Sequence, residues 1–563
     1  MIPHPRGPAA RVLLSSVFKP FARDDDYGSR AINPMELYHN QVTRAQGPCS
    51  LRMFHRSWGL MFIQENVSAA TTLLDFPTRE RFIRELRRGR YDVVGLSGIV
   101  VNVGKIREMC RLVRRYSPAS AIVVGGHVTA IPDIERLIDA DHIVRGEGIA
   151  WMRRFLGDDP DRPIVHPAIR SSVGFRVLGL RSPRGGGSPA ATIVPSVGCP
   201  LGCEFCTTSA FFGGKGRFVN FYERGEDLFR VMCDVERRLG VRAFFMMDEN
   251  FLLYRRRALE LLACMKAAGK AWALYVFSSA NAIRRYDVRE LVELGVEWIW
   301  LGLESSEAPY EKLSGTDTRA LVRDLQAHGI CVHGSTIVGL EHHTPESVMT
   351  DIDRAVAHDT VFHQFMLFTP IPGTPLHARM AAEGRLLDVD LADVHGQYQF
   401  NFRHPAIGRD ESKRVLDHAF QVDFDRNGPS LYRLMRTMFV RWRRYADDPD
   451  ARVRARVAVS AASLRLGYGA ALWAMARWLA PANPVMARRI DALAHDVEEA
   501  FGPTTRLVNR TLGPVLLWSA RREARHAGGR HLEPPTFVDR RPRRDAAVRF
   551  EAPEAAGVPV LLR

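Results

Sequence analysis

The chain has 563 residues, too many for one hydrophobic core, so two to four domains are expected. Hydrophobic residues make up 46% and charged residues 25%, as in an ordinary soluble globular protein, and Met1-Ile2-Pro3-His4-Pro5-Arg6 carries no apolar signal core, so a cytoplasmic, reducing setting is expected. The net charge of +15 is uneven, with 24 Arg against 13 Asp and Glu in residues 431–563. Arg11-Val12-Leu13-Leu14-Ser15-Ser16 reads as a buried first strand. Residues 25–90 mix polar turns with apolar pieces such as Leu60-Met61-Phe62-Ile63 and give no clear assignment. A βα rhythm then sets in, with a strand at 92–97, a helix across 104–116, a strand at 121–124, a helix from Ile134 to Ile138 and a strand at 142–144. Such alternation predicts a doubly wound parallel sheet, which binds ligands beyond the carboxyl ends of its strands. Ser97, Gly125-Gly126 and Gly146-Glu147 occupy that edge.

The composition of 181–189 predicts a flexible linker. The apolar run Ala191–Pro195 then leads into Cys199-Pro200-Leu201-Gly202-Cys203-Glu204-Phe205-Cys206. The spacing CxxxCxxC sets three soft thiolates on one tight loop, and thiolates select iron–sulfur clusters or zinc. A structural zinc site takes four protein ligands, and no further CxxC pair or closely spaced His supplies the fourth. The other cysteines (Cys49, Cys110, Cys233, Cys264 and Cys331) are scattered in apolar surroundings, against a disulfide framework. A four-iron cluster held by Cys199, Cys203 and Cys206 would leave one iron open to a substrate. A second βα series follows, with a helix at 226–239 and strands at 243–247, 273–277, 298–301, 336–338 and 365–368. With the strand before the cysteines these make six units. Their carboxyl ends carry Asp248-Glu249-Asn250, Ser278-Ser279, Gly302-Leu303-Glu304-Ser305, Gly339-Leu340-Glu341 and Thr369-Pro370, the edge at which parallel barrels hold their active sites.

CxxxCxxC with aromatic Phe205 before the last cysteine resembles the signature of the radical S-adenosylmethionine enzymes, and the N-terminal half resembles the cobalamin-binding domain found in some of them. The resemblance spans about 90–380 and implies a 4Fe-4S cluster, S-adenosylmethionine and cobalamin as cofactors. It implies that Cys199, Cys203 and Cys206 hold the cluster and that Phe205 lies near the adenine. Asp248, Glu249 and Asn250 correspond to the contacts of the S-adenosylmethionine amino group, and Ser278 and Glu304 to those of its carboxylate or ribose. Thr336, Ile337, Val338 and Gly339 correspond to the backbone beside adenine. For cobalamin, Ser97 and Ile99 match an SxL element and Gly125 and Gly126 a GG element, with His127, Gly146 and Glu147 on the same edge. The DxHxxG motif, whose His ligates cobalt, is absent, and Val17-Phe18-Lys19-Pro20 stands in its place.

The expected fold is α/β: a doubly wound, Rossmann-like cobalamin-binding domain at 1–165, a linker at 166–190, a partial six-unit TIM-type barrel at 191–400, a helical domain at 401–520 and a basic, disordered tail at 521–563. The expected activity is methyl transfer to an unactivated carbon of a small-molecule or lipid-like substrate, one S-adenosylmethionine supplying the methyl group and another the radical. A cyclase or oxidoreductase without methyl transfer is the alternative, and a nucleic-acid binder with a structural cluster a remote one, because the basic residues lack an aromatic recognition module. The expected partners are the substrate and an electron donor such as flavodoxin or ferredoxin. Leu466–Ala480 is too short to span a bilayer, so a buried helix or peripheral contact with the inner membrane is expected there. Met435, Met438, Phe439, Trp442, Trp473 and Trp478 either line a lipid site or pack a helical cap.

Overall fold

The computed structural model describes residues 2–19, 26–27, 35–36, 38–181, 189–304, 313, 316–526 and 532–544. Near the N-terminus β1 (Arg11–Ser16), β2 (Ala70–Asp75), β3 (Val93–Ser97), β4 (Ala121–Gly125) and β5 (His142–Ile143) form a parallel sheet in the order β2-β1-β3-β4-β5. Helices cover both faces, which is why these strands are apolar runs rather than alternating ones. On one face Leu13, Val94 and Ile122 pack against Ile106 and Met109 of α1 (Val103–Tyr116). On the other, Val12, Leu14 and Val93 pack against Met152, Phe155 and Leu156 of α2 (Gly148–Leu156). Each such side chain contributes roughly 1.5–3 kcal/mol on burial. The winding direction reverses between β1 and β3, so their carboxyl ends open the crevice in which doubly wound sheets take a ligand.

Two expectations for this half are corrected. The helix from Ile134 to Ile138 is a single 3-10 turn, Ile134–Arg136, entered through Asp133 at φ +52, because four residues of spacing hold no full helical turn with caps. The unassigned stretch 25–90 supplies β2, one of the strands flanking β1, with helices on either side of it in sequence.

The second unit is the barrel. β7 (Ala190–Ile193), β8 (Ala243–Met246), β9 (Ala273–Ser278), β10 (Val296–Gly302), β11 (Cys331–Val338) and β12 (Phe362–Leu367) pair in parallel in sequence order, and β6 (Ile169–Arg170) adds an antiparallel edge against β7. The expected linker at 166–190 is therefore structured in part, since β6, Val173–Val177 and Leu180–Arg181 are strands. Residues 182–188 of the Gly-rich stretch lie outside the described residues.

From Arg409 the chain is helical to His526. α5 (Gly469–Leu479) lies within the stretch considered for membrane contact, but Ala470, Leu472 and Met475 are buried against Ile490, Val497 and Leu516. Met435, Met438 and Phe439 join that core, with Trp442, Trp473 and Trp478 packed on it, so they pack a helical cap. Among the described residues no helix is long and apolar enough to cross a membrane.

The expectation of a disordered tail is corrected for 521–526 and 532–544, while residues 527–531 and 545–563 of that tail lie outside the described residues. Phe537–Arg541 forms β13, antiparallel to β2 on the outer edge of the N-terminal sheet. Arg540 fixes it by donating 2.8 Å hydrogen bonds to both carboxylate oxygens of Glu85. The Pro- and Arg-rich flanks hide this five-residue strand in the composition. Arg540 holds the Glu85 carboxylate below its usual range. The stabilisation is present above the unfolded glutamate pKa of about 4.3 and is lost as the pH falls through the lower folded value. Deleting residues 533–563 is expected to bare the β2 edge, lower the melting temperature and promote self-association, read by calorimetry and light scattering. An unchanged melting temperature would contradict the role given to β13.

Candidate active site

The cysteine loop leaves the carboxyl end of β7 and is folded by its own backbone. Cys206 N–H donates to Cys203 O at 3.0 Å, Ser209 Oγ to Cys199 O at 2.7 Å and Gly216 N–H to Pro200 O at 2.8 Å. Gly202 sits at φ +66, and a Cβ there would lie 2.5 Å from the Lys215 Cβ, so no larger residue fits. The loop runs into α3 (Thr207–Phe211), whose Ser209 N–H points at Cys206 Sγ from 3.5 Å. All three thiols are half-buried. Burial pushes the Cys199 thiol up to about 11, and Cys206, Cys203 and Glu249 push the same way, so the three sulfurs lie within electrostatic reach of one another. Among the described residues no three His, Cys, Asp or Glu side chains meet closely enough for a single metal ion. Soft thiolates spread around one half-open loop fit a cluster, whose positive charge would favour their ionised form.

The ends of β8 and β9 form a closed polar network. Asp248 is buried and ion-paired with buried Arg257, on α4 (Arg255–Ala267), and it accepts the Asn250 N–H at 3.1 Å. The Asn250 side chain accepts from Ser278 Oγ at 3.2 Å and from Ser279 N–H at 3.1 Å, and donates to Ser279 Oγ at 3.1 Å. Asp248, Asn250 and Ser278 thus bond one another or neighbouring residues and hold the loop. Glu249 differs: desolvation, reinforced by Asp248, pushes its carboxyl up to about 8, and its Oε2 has no hydrogen-bond partner among the described residues. Beyond β10, Glu304 adopts φ +47, and its N–H and that of Leu303 both reach Ser335 O, at 3.1 and 2.8 Å. Ser305 lies outside the described residues. Thr336 points away from the lumen, bonding His363 Nε2 at 2.9 Å. Phe205 and Ile337 pack on one apolar cluster that also contains Val338, and Gly339 ends β11 at φ +72.

The crevice edge of the N-terminal sheet is built for close approach. Gly126 has φ +82, and a Cβ there would lie 2.7 Å from Gly98 O and 2.9 Å from Ser97 Oγ. Ile99 is exposed beside it, and Gly125 O accepts the Gly98 N–H at 3.4 Å. Glu147 is occupied in capping α2, accepting from the N–H groups of Ile149 and Ala150, and Gly146 precedes it at φ +81. After β1, Phe18 O accepts the ammonium of buried Lys105 at 2.8 Å. His127 leaves this edge and stacks on Phe211, with centroids 4.5 Å and planes 25° apart. Burial lowers its pKa to about 4, so the ring is neutral, and Nε2 has no partner among the described residues. Phe211 ends the helix that begins after Cys206, so the sheet edge and the cysteine loop meet directly.

One group of residues escaped the sequence reading. Phe245, Tyr275, Phe277, Trp298, Trp300 and His333 form a continuous aromatic cluster across β8 to β11. Trp300 lies flat on His333 at 3.9 Å, and Tyr275 Oη bonds His333 Nδ1 at 2.8 Å. The signal was present as aromatics at alternate positions, 275 and 277, then 298 and 300, the period of one strand face.

The B12 binding domain family matches residues 57–155, beginning inside the stretch left unassigned by sequence, and the Radical SAM superfamily matches 193–355. Cobalamin and a 4Fe-4S cluster with S-adenosylmethionine are the cofactors that these two domains take. The chain is 23% identical to an uncharacterized methyltransferase of Pyrococcus horikoshii, over 53% of this chain and 71% of that protein. It is 29% identical to the bacteriochlorophyllide d C-12(1)-methyltransferase of Chlorobaculum tepidum, over 38% of this chain and 47% of the relative. Identity to the hopanoid C-2 methylase of Rhodopseudomonas palustris is 25%, over 59% and 63%. The last two matches thus span less than two thirds of those relatives. The structure of the radical S-adenosylmethionine methyltransferase TsrM from Kitasatospora setae aligns with a TM-score of 0.48 at 16% identity, covering 80% of this chain and 98% of that one.

Replacing Arg257 with Met would leave Asp248 as an uncompensated buried charge. The expected loss is about 3–5 kcal/mol of stability, read by denaturant unfolding, together with weaker S-adenosylmethionine binding. Unfolding indistinguishable from the parent would show that the pair does not hold this loop.

Proposed function

Since the chain belongs to the radical S-adenosylmethionine enzymes that carry a B12-binding domain, we propose that it is a methyltransferase acting on an unactivated carbon of a small-molecule or lipid-like substrate. The observation that carries this reading is the direct contact of the two cofactor edges, where His127 of the cobalamin sheet stacks on Phe211 of the cluster helix. Two reactive centres that serve one carbon must face each other across it. When bound, the cluster with S-adenosylmethionine supplies a hydrogen-abstracting radical, and cobalamin supplies the methyl group.

The protein's share is binding, orientation and exclusion of water. Cys199, Cys203 and Cys206 hold the cluster. Glu249, with its unpartnered oxygen close to the cysteine loop, receives the amino group of S-adenosylmethionine, while Asp248, Asn250 and Ser278 keep that loop in place. Glu304 serves its carboxylate or ribose, and Phe205 with the backbone of Thr336, Ile337, Val338 and Gly339 forms the adenine side. Ser97, Ile99, Gly125, Gly126, Gly146, Glu147 and His127 line the cobalamin edge, the glycines leaving room for the cofactor and Glu147 holding the edge through α2. No histidine stands in Val17-Phe18-Lys19 after β1, so that loop would offer cobalt no imidazole. The aromatic lining of the barrel favours an apolar substrate and keeps water from the radical. A small redox protein such as flavodoxin or ferredoxin donates the electrons, and peripheral membrane contact belongs to the same reading.

Anaerobic reconstitution with iron, sulfide and cobalamin, followed by turnover on candidate apolar substrates, tests it. S-adenosylhomocysteine and 5′-deoxyadenosine are expected to form in equal amounts. Deoxyadenosine without S-adenosylhomocysteine would replace methyl transfer by a cyclase or oxidoreductase activity. The triple variant C199A/C203A/C206A is expected to lose iron and its visible absorbance while still binding cobalamin.

A further inference from the structure

The final helix, α6 (Pro503–His526), packs one side on α5 and leaves the other in solvent. Its outer face carries large apolar side chains that no described residue covers: Leu507 is 63% exposed, Val515 55% and Trp518 60%. At 100° per residue these three fall on one side, together with Arg510, Arg521 and Arg525, all exposed. Arg522 lies 5.6 Å from the Trp518 ring. The helix has one acidic residue, Glu523, which is ion-paired inward with Arg176. The outer face therefore has a single sign of charge. The turn Leu464–Tyr468 packs beside α6 and adds Arg465 and Leu466, the latter 63% exposed.

The geometry points to this face as a docking surface for an anionic lipid bilayer, with α6 lying in the plane of the headgroups. Arginines of one sign meet the negative surface, and the leucine, valine and tryptophan between them enter the boundary with the acyl chains. Tryptophan suits that depth, with an apolar ring and a polar N–H. The interspersed aliphatic side chains distinguish this partner from nucleic acid, whose phosphates the arginines alone would serve. The surface differs from the one suggested by hydropathy: α5 is more apolar but is spent on the core.

The test is flotation of the full-length chain with vesicles of phosphatidylcholine alone or containing phosphatidylglycerol, at low and high salt. Binding is expected to the anionic vesicles only and to weaken with salt. Replacing Arg510, Arg521 and Arg525 with Gln should weaken it roughly fivefold per arginine. The variant L507Q/V515Q/W518Q should lose most of the remaining binding, with its melting temperature little changed because more than half of each side chain lies in solvent. Any of four results would overturn the proposal: no binding to anionic vesicles, equal binding to neutral ones, parental binding by the apolar variant, or tighter binding to RNA than to vesicles. Dimerisation through this face, seen as a mass that halves in the apolar variant without vesicle binding, would replace the bilayer by a second copy. Each of these results leaves the methyl-transfer reading standing, because the readout needs neither cluster nor substrate.

Discussion

The architecture turns on a contact between two strand-end surfaces. Each half of the chain is a parallel αβ unit, and each must place its ligand beyond the carboxyl ends of its strands. Two such units serve one reaction only if those edges face each other. Here the cysteine loop, too short to reach far, sends α3 across the gap, and Phe211 at its end lies flat on His127. The aromatic pair joins the segment that follows the GG turn of one sheet to the helix that starts at Cys206. Any shift of one unit against the other is then a shift of the GG edge against the cysteine loop. Ile371, beyond β12, and Leu391 pack on the N-terminal core and widen the contact.

Around that contact the polar groups fall into two kinds. Asp248, Asn250, Ser278 and Glu147 spend their hydrogen bonds inside the protein, so substituting them damages positions rather than contacts. Glu249 Oε2 and His127 Nε2 are buried and unpaired. A desolvated, unpaired polar atom costs about 1–3 kcal/mol, a cost that a bound ligand can offset. Burial raises the Glu249 carboxyl and lowers the His127 imidazole, so both tend toward neutral where no partner is present. The positive amino group of a sulfonium amino acid would reverse that tendency at Glu249 by favouring its ionised form.

Much of this was legible because its signals are local. Three cysteines in eight residues need no tertiary context, and parallel strands such as Val93–Ser97 and Val296–Gly302 are apolar because both faces are covered. What escaped depends on distant partners. β2 reads as the ambiguous Ala-Thr-Thr-Leu-Leu-Asp until β1 is laid beside it. β13 carries two arginines and an aspartate, and only the edge of β2 and the carboxylate of Glu85 make it a strand. The helix expected at 134–138 failed for the opposite reason, since a plausible spacing was too short to nucleate. The residue types of the strand-end loops were readable, but whether a side chain faces a ligand or its neighbour, as Glu249 and Asn250 show, was not.

Besides Arg540 on the N-terminal sheet, the arginines in the last quarter of the chain include two physically different populations. One is buried and reaches back to the barrel. Arg433 donates to Thr360 O at 2.7 Å and pairs with Asp423, Arg441 donates to Gly329 O at 2.8 Å, and Arg456 donates to Val292 O. Those carbonyls lie in the last helical turn or the loop just before β12, β11 and β10, on the side of the barrel opposite the cysteines, where helix ends expose carbonyl oxygens to further donors. Guanidinium groups suit this position because they remain charged when desolvated; Arg456, lowered to about 10, still keeps its proton at neutral pH. The helical cap is thereby bolted to the barrel floor through hydrogen bonds as well as through its apolar core. Among the described residues the second population has no such acceptors. Arg510, Arg521 and Arg525 stand in solvent among exposed apolar side chains, a combination that neither packing nor solubility requires. The same residue type thus closes the barrel from below on one side of the cap and leaves a cationic, apolar face on the other.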